Sequence, residues 1–193
     1  IVSLLAGPAA RAAGGPPFWS ISVEQLVAFH AETQSRMEAY CRDHLIDKEF
    51  AHVCRRQPCP HDHGDARHHA SSHNELREVQ QDMHTLVDVV IRPATKEHEG
   101  ILGFWSTLNL ESPRRAEVFV SHCWNERFGD FVSTLGTLRP ELSVWVCSFA
   151  LPQNIDISRV LSNRPDRSPS AAALRSAERV LLAVDDRLEP LTR

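Results

Sequence analysis

The pattern of apolar and polar positions divides the chain into a helical half and a strand-bearing half. At Ile21-Ser22-Val23-Glu24-Gln25-Leu26, Ser22 and Gln25 form an S-x-x-Q capping box, with Ile21 and Leu26 placed as a hydrophobic staple. A helix starts there, and Leu26, Phe29, Met37, Tyr40 and Leu45 carry it at helical spacing into the high forties. Ser72 and Glu75 repeat the box. Leu76, Val79, Met83, Leu86, Val87 and Val90 then form one helical stripe that the pattern predicts to end at Pro93. A shorter amphipathic stretch follows with Ile101, Leu102, Phe104, Trp105 and Leu108.

From about residue 116 the period changes. Val118-Phe119-Val120, Val144-Trp145-Val146-Cys147 and Val180-Leu181-Leu182-Ala183-Val184 are continuous apolar, β-favouring runs. Runs of this kind predict strands buried on both faces, in the centre of a parallel sheet. Phe128, Phe131, Val132, Leu135 and Leu138 form a helical stripe between the first two, stopped by Pro140. Between the second and third, Ser168-Pro169 reads as an N-cap with proline at the first helical position. The order β-α-β-α-β predicts an α/β fold with a doubly wound parallel sheet, preceded by a helical region.

The remaining segments lack this patterning. Residues 1–20 are rich in Ala, Gly and Pro and read as a tail. Residues 54–74, "CRRQPCPHDHGDARHHASSHN", hold no large apolar residue and read as a His-rich loop. The division is therefore tail 1–20, helical region 21–53, loop 54–74, helical lead-in 75–110 and α/β domain 111–193. The connection from Ala150 to Arg167 is much longer than the ~2–6 residues usual between a strand and a helix. It reads as functional or mobile.

Composition narrows the function classes. With 42% hydrophobic and 24% charged residues, the 193-residue chain has the make-up of a packed globular protein. A net charge of −4 supplies no basic field for a phosphate backbone, which sets nucleic acid aside as a partner. No apolar run approaches the ~20 residues of a membrane span. The opening "IVSLLAGPAARAAGG" has no basic segment before its apolar piece, against a signal peptide, and a start on isoleucine reads as a fragment. The five cysteines (Cys41, Cys54, Cys59, Cys123, Cys147) are odd in number, and two lie in strand-like runs. Reduced thiols in a cytoplasmic protein fit better than a disulfide framework.

Candidate chemistry follows from topology. In an open parallel sheet, ligands bind outside the carboxyl ends of the strands. That rule selects Ser121, His122 and Trp124 after the first strand, Gln153 and Asn154 after the second, and Asp185 and Asp186 after the third. Polar residues are also what any strand needs in order to leave a core. His122 and Cys123 are adjacent in sequence, so their side chains diverge and do not make a nucleophile and base pair. Cys123 and Cys147 read as small buried hydrophobes. Trp124 and Trp145 read as structural anchors, with Trp124 the candidate for stacking on a planar ligand. In the loop, Cys54, Cys59, His61, His63, His68, His69 and His73 are zinc-type ligands, but their spacing matches no zinc motif.

Taken in order, "AEVFVSHCW", "VWVCSFALPQN", "SPSAAALRSAE" and "RVLLAVDDRLEPLTR" resemble the first half of a Toll/interleukin receptor (TIR)-like domain. The resemblance is greatest to a protist group with the pattern F-V-S-H-x-W, and "VIRPATKE" fits the segment before its first strand. It covers roughly residues 84–193 and implies a flavodoxin-like sheet, with Ala150–Arg167 in the place of the TIR self-association loop. It also implies one of two activities: signalling through association with itself or other TIR-like domains, or cleavage of NAD+ as substrate. In the second case Ser121, His122, Trp124, Gln153, Asn154 and Asp185 would line the nucleotide cleft. The glutamate of the NAD+-cleaving members follows a W-C pair after the third strand, whereas this sequence stops at Thr192-Arg193. Its His122, Cys123 and Trp124 also replace the usual acidic and arginine residues. The first activity is therefore the expectation.

Overall fold

The structure, a computed structural model, describes residues 14–47, 81–96, 102–156 and 164–184. The Ser72/Glu75 capping box, the His-rich loop and Asp185-Asp186 lie outside the described residues. Four strands form one mixed sheet: β1 (Ile21–Ser22), β2 (Val118–Ser121), β3 (Ser143–Val146) and β4 (Arg179–Leu182), in the order β1-β3-β2-β4. β2 pairs in parallel with both β3 and β4, and β1 closes the β3 edge antiparallel, with Ile21 opposite Val144. The helices are α1 (Val23–Asp47), α2 (three pieces from Met83 to Thr95), α3 (Trp105–Asn109), α4 (Phe128–Leu135), α5 (Cys147–Ala150) and α6 (Pro169–Ser176). The α/β class and its parallel core are as the sequence predicts.

Local chemistry sets the helix starts. The backbone N–H of Gln25 donates to Ser22 Oγ at 3.1 Å, and that of Ser22 donates to Gln25 Oε1 at 2.8 Å, which is the reciprocal capping box. Ile21 and Leu26 are both fully buried beside it. Ser168 Oγ accepts from the Ala171 N–H at 3.2 Å with Pro169 at the first position of α6. Gln25 does a second job: its amide pairs with that of Asn109 on α3 (2.7 and 3.0 Å), and Asn109 also donates to the Ser20 carbonyl.

The sheet is doubly wound. β2–α4–β3 and β3–α6–β4 run in opposite directions across it, so two right-handed crossovers put α4 and α6 on opposite faces. Phe119 and Trp145, register neighbours on β2 and β3, stack at 4.9 Å on one face. The Pro16–Phe18 turn and α6 cover them, and Trp145 Nε1–H donates to the Pro16 carbonyl at 3.1 Å. Val118, Val120, Val144 and Val146 occupy the other face, all buried. Around Phe29 of α1, the rings of Phe104, Phe128 and Phe149 lie at 4.7–6.1 Å, so α1 shares the core that includes β2, β3 and α4.

Several expectations change. Residues 14–20, a tail by composition, are docked: Ser20 is buried, and Trp19 is 6% exposed and stacked on Trp105. Gly14 and Gly15, at φ of 81° and 77°, turn the backbone onto the sheet, and the apolar content of "PPFW" holds it there. Ile21-Ser22 is an edge strand as well as a helix start. α2 does not stop at Pro93: a π-helical turn, Val87–Ile91, precedes the last piece, Arg92–Thr95, and admits the proline at its start. α4 ends at Leu135, short of Leu138. Cys147 opens α5 rather than closing β3. The third strand is not buried on both faces. Val180 is 60% and Leu182 42% exposed, because β4 is an outer strand of the described sheet.

Gly103 marks the tightest joint. A Cβ there would collide with the backbone carbonyl of Ala150 at the end of α5. Gly103→Ala therefore destabilises the protein by about 1–3 kcal/mol, since backbone rather than a flexible side chain must move. Urea unfolding should show a lower midpoint with an unchanged slope.

Candidate functional site

The carboxyl ends of β2 and β3 converge on one small polar group inside the rim. Register brings this about: Val120 lies beside Val146, so the next residues of the two strands, Ser121-His122 and Cys147, emerge together. His122 Nε2 lies 3.4 Å from Cys147 Sγ, and its Nδ1 lies 3.2 Å from the Cys123 carbonyl oxygen. A carbonyl only accepts, so Nδ1 carries the proton and Nε2 faces the sulfur as an acceptor. The Cys147 S–H donates to it. The result is a directional chain, Cys147 to His122 to the Cys123 carbonyl.

Burial keeps the chain neutral. Desolvation pushes the Cys147 thiol up to about 11, against lesser lowering by the Trp124 contact and backbone N–H groups. Desolvation likewise takes His122 down to about 4, only partly offset by its bond to Cys123. A thiolate and imidazolium pair, the form a cysteine nucleophile needs, is therefore the disfavoured state at neutral pH. Aromatic rings complete the enclosure: Phe131 of α4 lies 5.1 Å from the His122 ring, and Trp124 sits between His122 (6.5 Å) and His84 of α2 (5.0 Å).

The other residues predicted for the rim are placed differently. Ser121 is exposed at the end of β2, in register with Leu182 of β4. It faces the side where strand order reverses, between β2 and β4, which is where a doubly wound sheet opens a crevice. Gln153 is buried, and its amide donates to the carbonyls of Cys147 (3.3 Å) and Leu151 (3.1 Å). Asn154 donates to the Arg92 carbonyl and to Thr95 Oγ1, and Arg92 Nε–H donates back to the Gln153 carbonyl. These two side chains fasten the start of the long connection to the end of α2. Asp185 lies outside the described residues. The structure thus brings His122 together with Cys147, whose carbonyl in turn accepts from Gln153.

Sequence reasoning missed the His122–Cys147 pair because it weighed His122 only against its neighbour Cys123. Aligning the carboxyl ends of the two apolar runs would have found it, since Val120 and Val146 end both. Glu126, a carboxyl 3% exposed in the loop after Trp124, carried no sequence signal. Among the described residues, no three His, Cys, Asp or Glu side chains are grouped to hold a metal ion, and no helix is long and apolar enough to cross a membrane. No family model, curated protein or solved structure matches the chain.

The two displaced pKa values frame a stability plateau. His122 binds its proton more weakly folded than unfolded, so stability present above pH 6.5 is lost as pH falls toward 4, by up to about 3 kcal/mol. Cys147 holds its proton more tightly when folded, so stability present below pH 9.0 is lost as pH rises toward 11, by a similar amount. Denaturant titrations across pH should therefore show greatest stability between these limits, and His122→Gln should flatten the acidic limb. At pH 8 native Cys147 should alkylate about a hundredfold more slowly than a cysteine of ordinary pKa, with its rate still rising toward pH 11. Mass spectrometry after timed iodoacetamide labelling reads this directly.

Proposed function

We propose that this chain is an interaction module of the TIR-like type, working in cytoplasmic signalling through association of the domain with itself. The observation that carries this reading is β4, an outer strand among the described residues, whose exposed Val180 and Leu182 lie on a parallel sheet. Parallel sheets are ordinarily covered, and an apolar edge strand is a ready template for pairing with another chain. The ordered motifs around β2, β3 and β4 support the same reading through their resemblance to TIR-like domains.

The NAD+-cleaving alternative has less behind it. Of the ring-bearing candidates for the nucleotide cleft, His122 is tied to Cys147 and Trp124 packs between His122 and His84, and the Gln153 and Asn154 amides are engaged with backbone carbonyls and Thr95. Of the candidates in the described residues, Ser121 and Asn154 are exposed, and Asn154 is already held by the Arg92 carbonyl and Thr95.

A contact of a few residues a side buries less than the roughly 1,200 Å² of a standard interface, so the association should be weak. Sedimentation velocity on the chain should show an average mass that rises toward the dimer at roughly 10–100 µM. Strictly monomeric behaviour over that range would overturn the proposal. Nicotinamide release from NAD+ by the same chain would favour the alternative.

A further inference from the structure

We infer that Cys147 and His122 form a binding site for one soft monovalent metal ion of the copper(I) type, held between the Cys147 sulfur and His122 Nε2 where β2 and β3 end level. Cys147 Sγ and His122 Nε2 lie 3.4 Å apart and face one another. A thiolate and a neutral imidazole are donors that soft, polarizable cations select. The site stands apart from the self-association reading and does not depend on it.

The histidine is oriented as a metal ligand is. Its Nδ1–H is engaged by the Cys123 carbonyl at 3.2 Å, which fixes the tautomer and aims the Nε2 lone pair at the sulfur. A backbone carbonyl on the far ring nitrogen is a common outer partner of a metal-bound imidazole. Cys147 is steadied from its other side: the Gln153 amide donates to its carbonyl at 3.3 Å and to that of Leu151 at 3.1 Å.

Geometry leaves room for the ion. Bonds of about 2.3 Å to sulfur and about 2.0 Å to an imidazole nitrogen span at most ~4.3 Å in line. The 3.4 Å separation is met by a bent arrangement, or by a linear one once the ring withdraws about 1 Å. His122 lies one residue beyond the end of β2 and Cys147 opens the short helix α5, so neither is held in the strand ladder. Both residues keep partial exposure, so the pair is not sealed from ions in solution. The ion takes the place of the thiol proton, which passes to solvent. One S–H bond breaks, a metal–sulfur and a metal–nitrogen bond form, and no electron is transferred.

The surroundings select the ion. The rings of Phe131 and Trp124 flank His122 at 5.1 and 6.5 Å, and an apolar setting suits one positive charge better than two. Among the described residues no group of three His, Cys, Asp or Glu is present, and zinc takes at least three protein ligands. A copper(I) ion is satisfied by two donors of this kind.

Long-range proton–nitrogen spectra of the histidine rings in the full chain, titrated anaerobically with copper(I), read the site directly. The His122 Nε2 signal should move strongly upfield as it gains the ion. Cys147→Ser should raise the copper(I) concentration needed for that shift by at least about a hundredfold, the upper end of what loss of an outer partner alone costs. Copper(I) held by Cys41, Cys54, Cys59 or Cys123 would leave the signal in place, so an unmoved His122 at full loading overturns the inference. An equal shift in Cys147→Ser overturns it as well, since the sulfur is then no ligand. Zinc(II) moving the signal at lower concentration than copper(I) overturns the choice of ion. Should Cys147→Ser fail to fold, His122→Gln gives the second reading. In competition with bicinchoninate its copper(I) uptake should fall one equivalent short of the wild-type chain, and equal uptake overturns the inference.

Discussion

The pairing of β2 with β3, and the stack of Phe119 on Trp145 across it, is the constraint on which the rest depends. Three register pairs hold the two strands in parallel. The aromatic stack then requires a cover, because two large rings side by side on one face are apolar surface that must leave water. Residues 14–18 supply that cover, with the Pro16 carbonyl as the acceptor for the Trp145 indole N–H. Once Pro16 is docked, Trp19 meets Trp105, Ile21 meets Val144, and α1 begins in a direction set by β1. The amino-terminal segment is in this sense part of the sheet's core, although nearly a hundred residues separate it from β2. Exposed ion pairs such as Arg92–Asp88 and Arg139–Glu141 add only tenths of a kcal/mol to such packing.

The same register produces the rim chemistry. Strands that end level deliver His122 and Cys147 to one place, and burial there by Phe131 and Trp124 decides their state. A histidine and a cysteine within hydrogen-bond distance have the outline of a catalytic pair, but in a water-poor setting both neutral forms are favoured. Their hydrogen-bond chain satisfies each group and joins the ends of the two strands. Gln153 and Asn154 act in the same way one layer further out, securing the path from α5 to the end of α2. The rim between β2 and β3 is thus occupied by these contacts, and Ser121, at the end of β2 beside β4, is exposed.

Much of the fold was legible from short-range patterns. The Ser22/Gln25 box, the Ser168-Pro169 start and the apolar runs at 118, 144 and 180 depend on neighbours within a few residues. Each appears in the structure within a residue or two of its expected place. The helix through Pro93 was not legible, because a proline ends a helix unless a widened turn precedes it, and nothing local in Val87–Ile91 announces one. Burial of residues 14–20 was not legible either. Their composition is that of a linker, and the order they show comes from aromatic surface supplied by β2, β3 and α3.

The sequence by itself determined the α/β class, the approximate positions of β2, β3, β4, α1, α4 and α6, and the set of polar residues that follow the three parallel strands, because these are read over distances of a few residues. The tertiary structure alone decided which of those residues meet. His122 found Cys147 instead of Cys123 because parallel register aligns strand ends that are 25 residues apart in sequence. Val180 and Leu182 were left exposed because exposure depends on a strand's neighbours in the sheet, which its own apolar run does not specify.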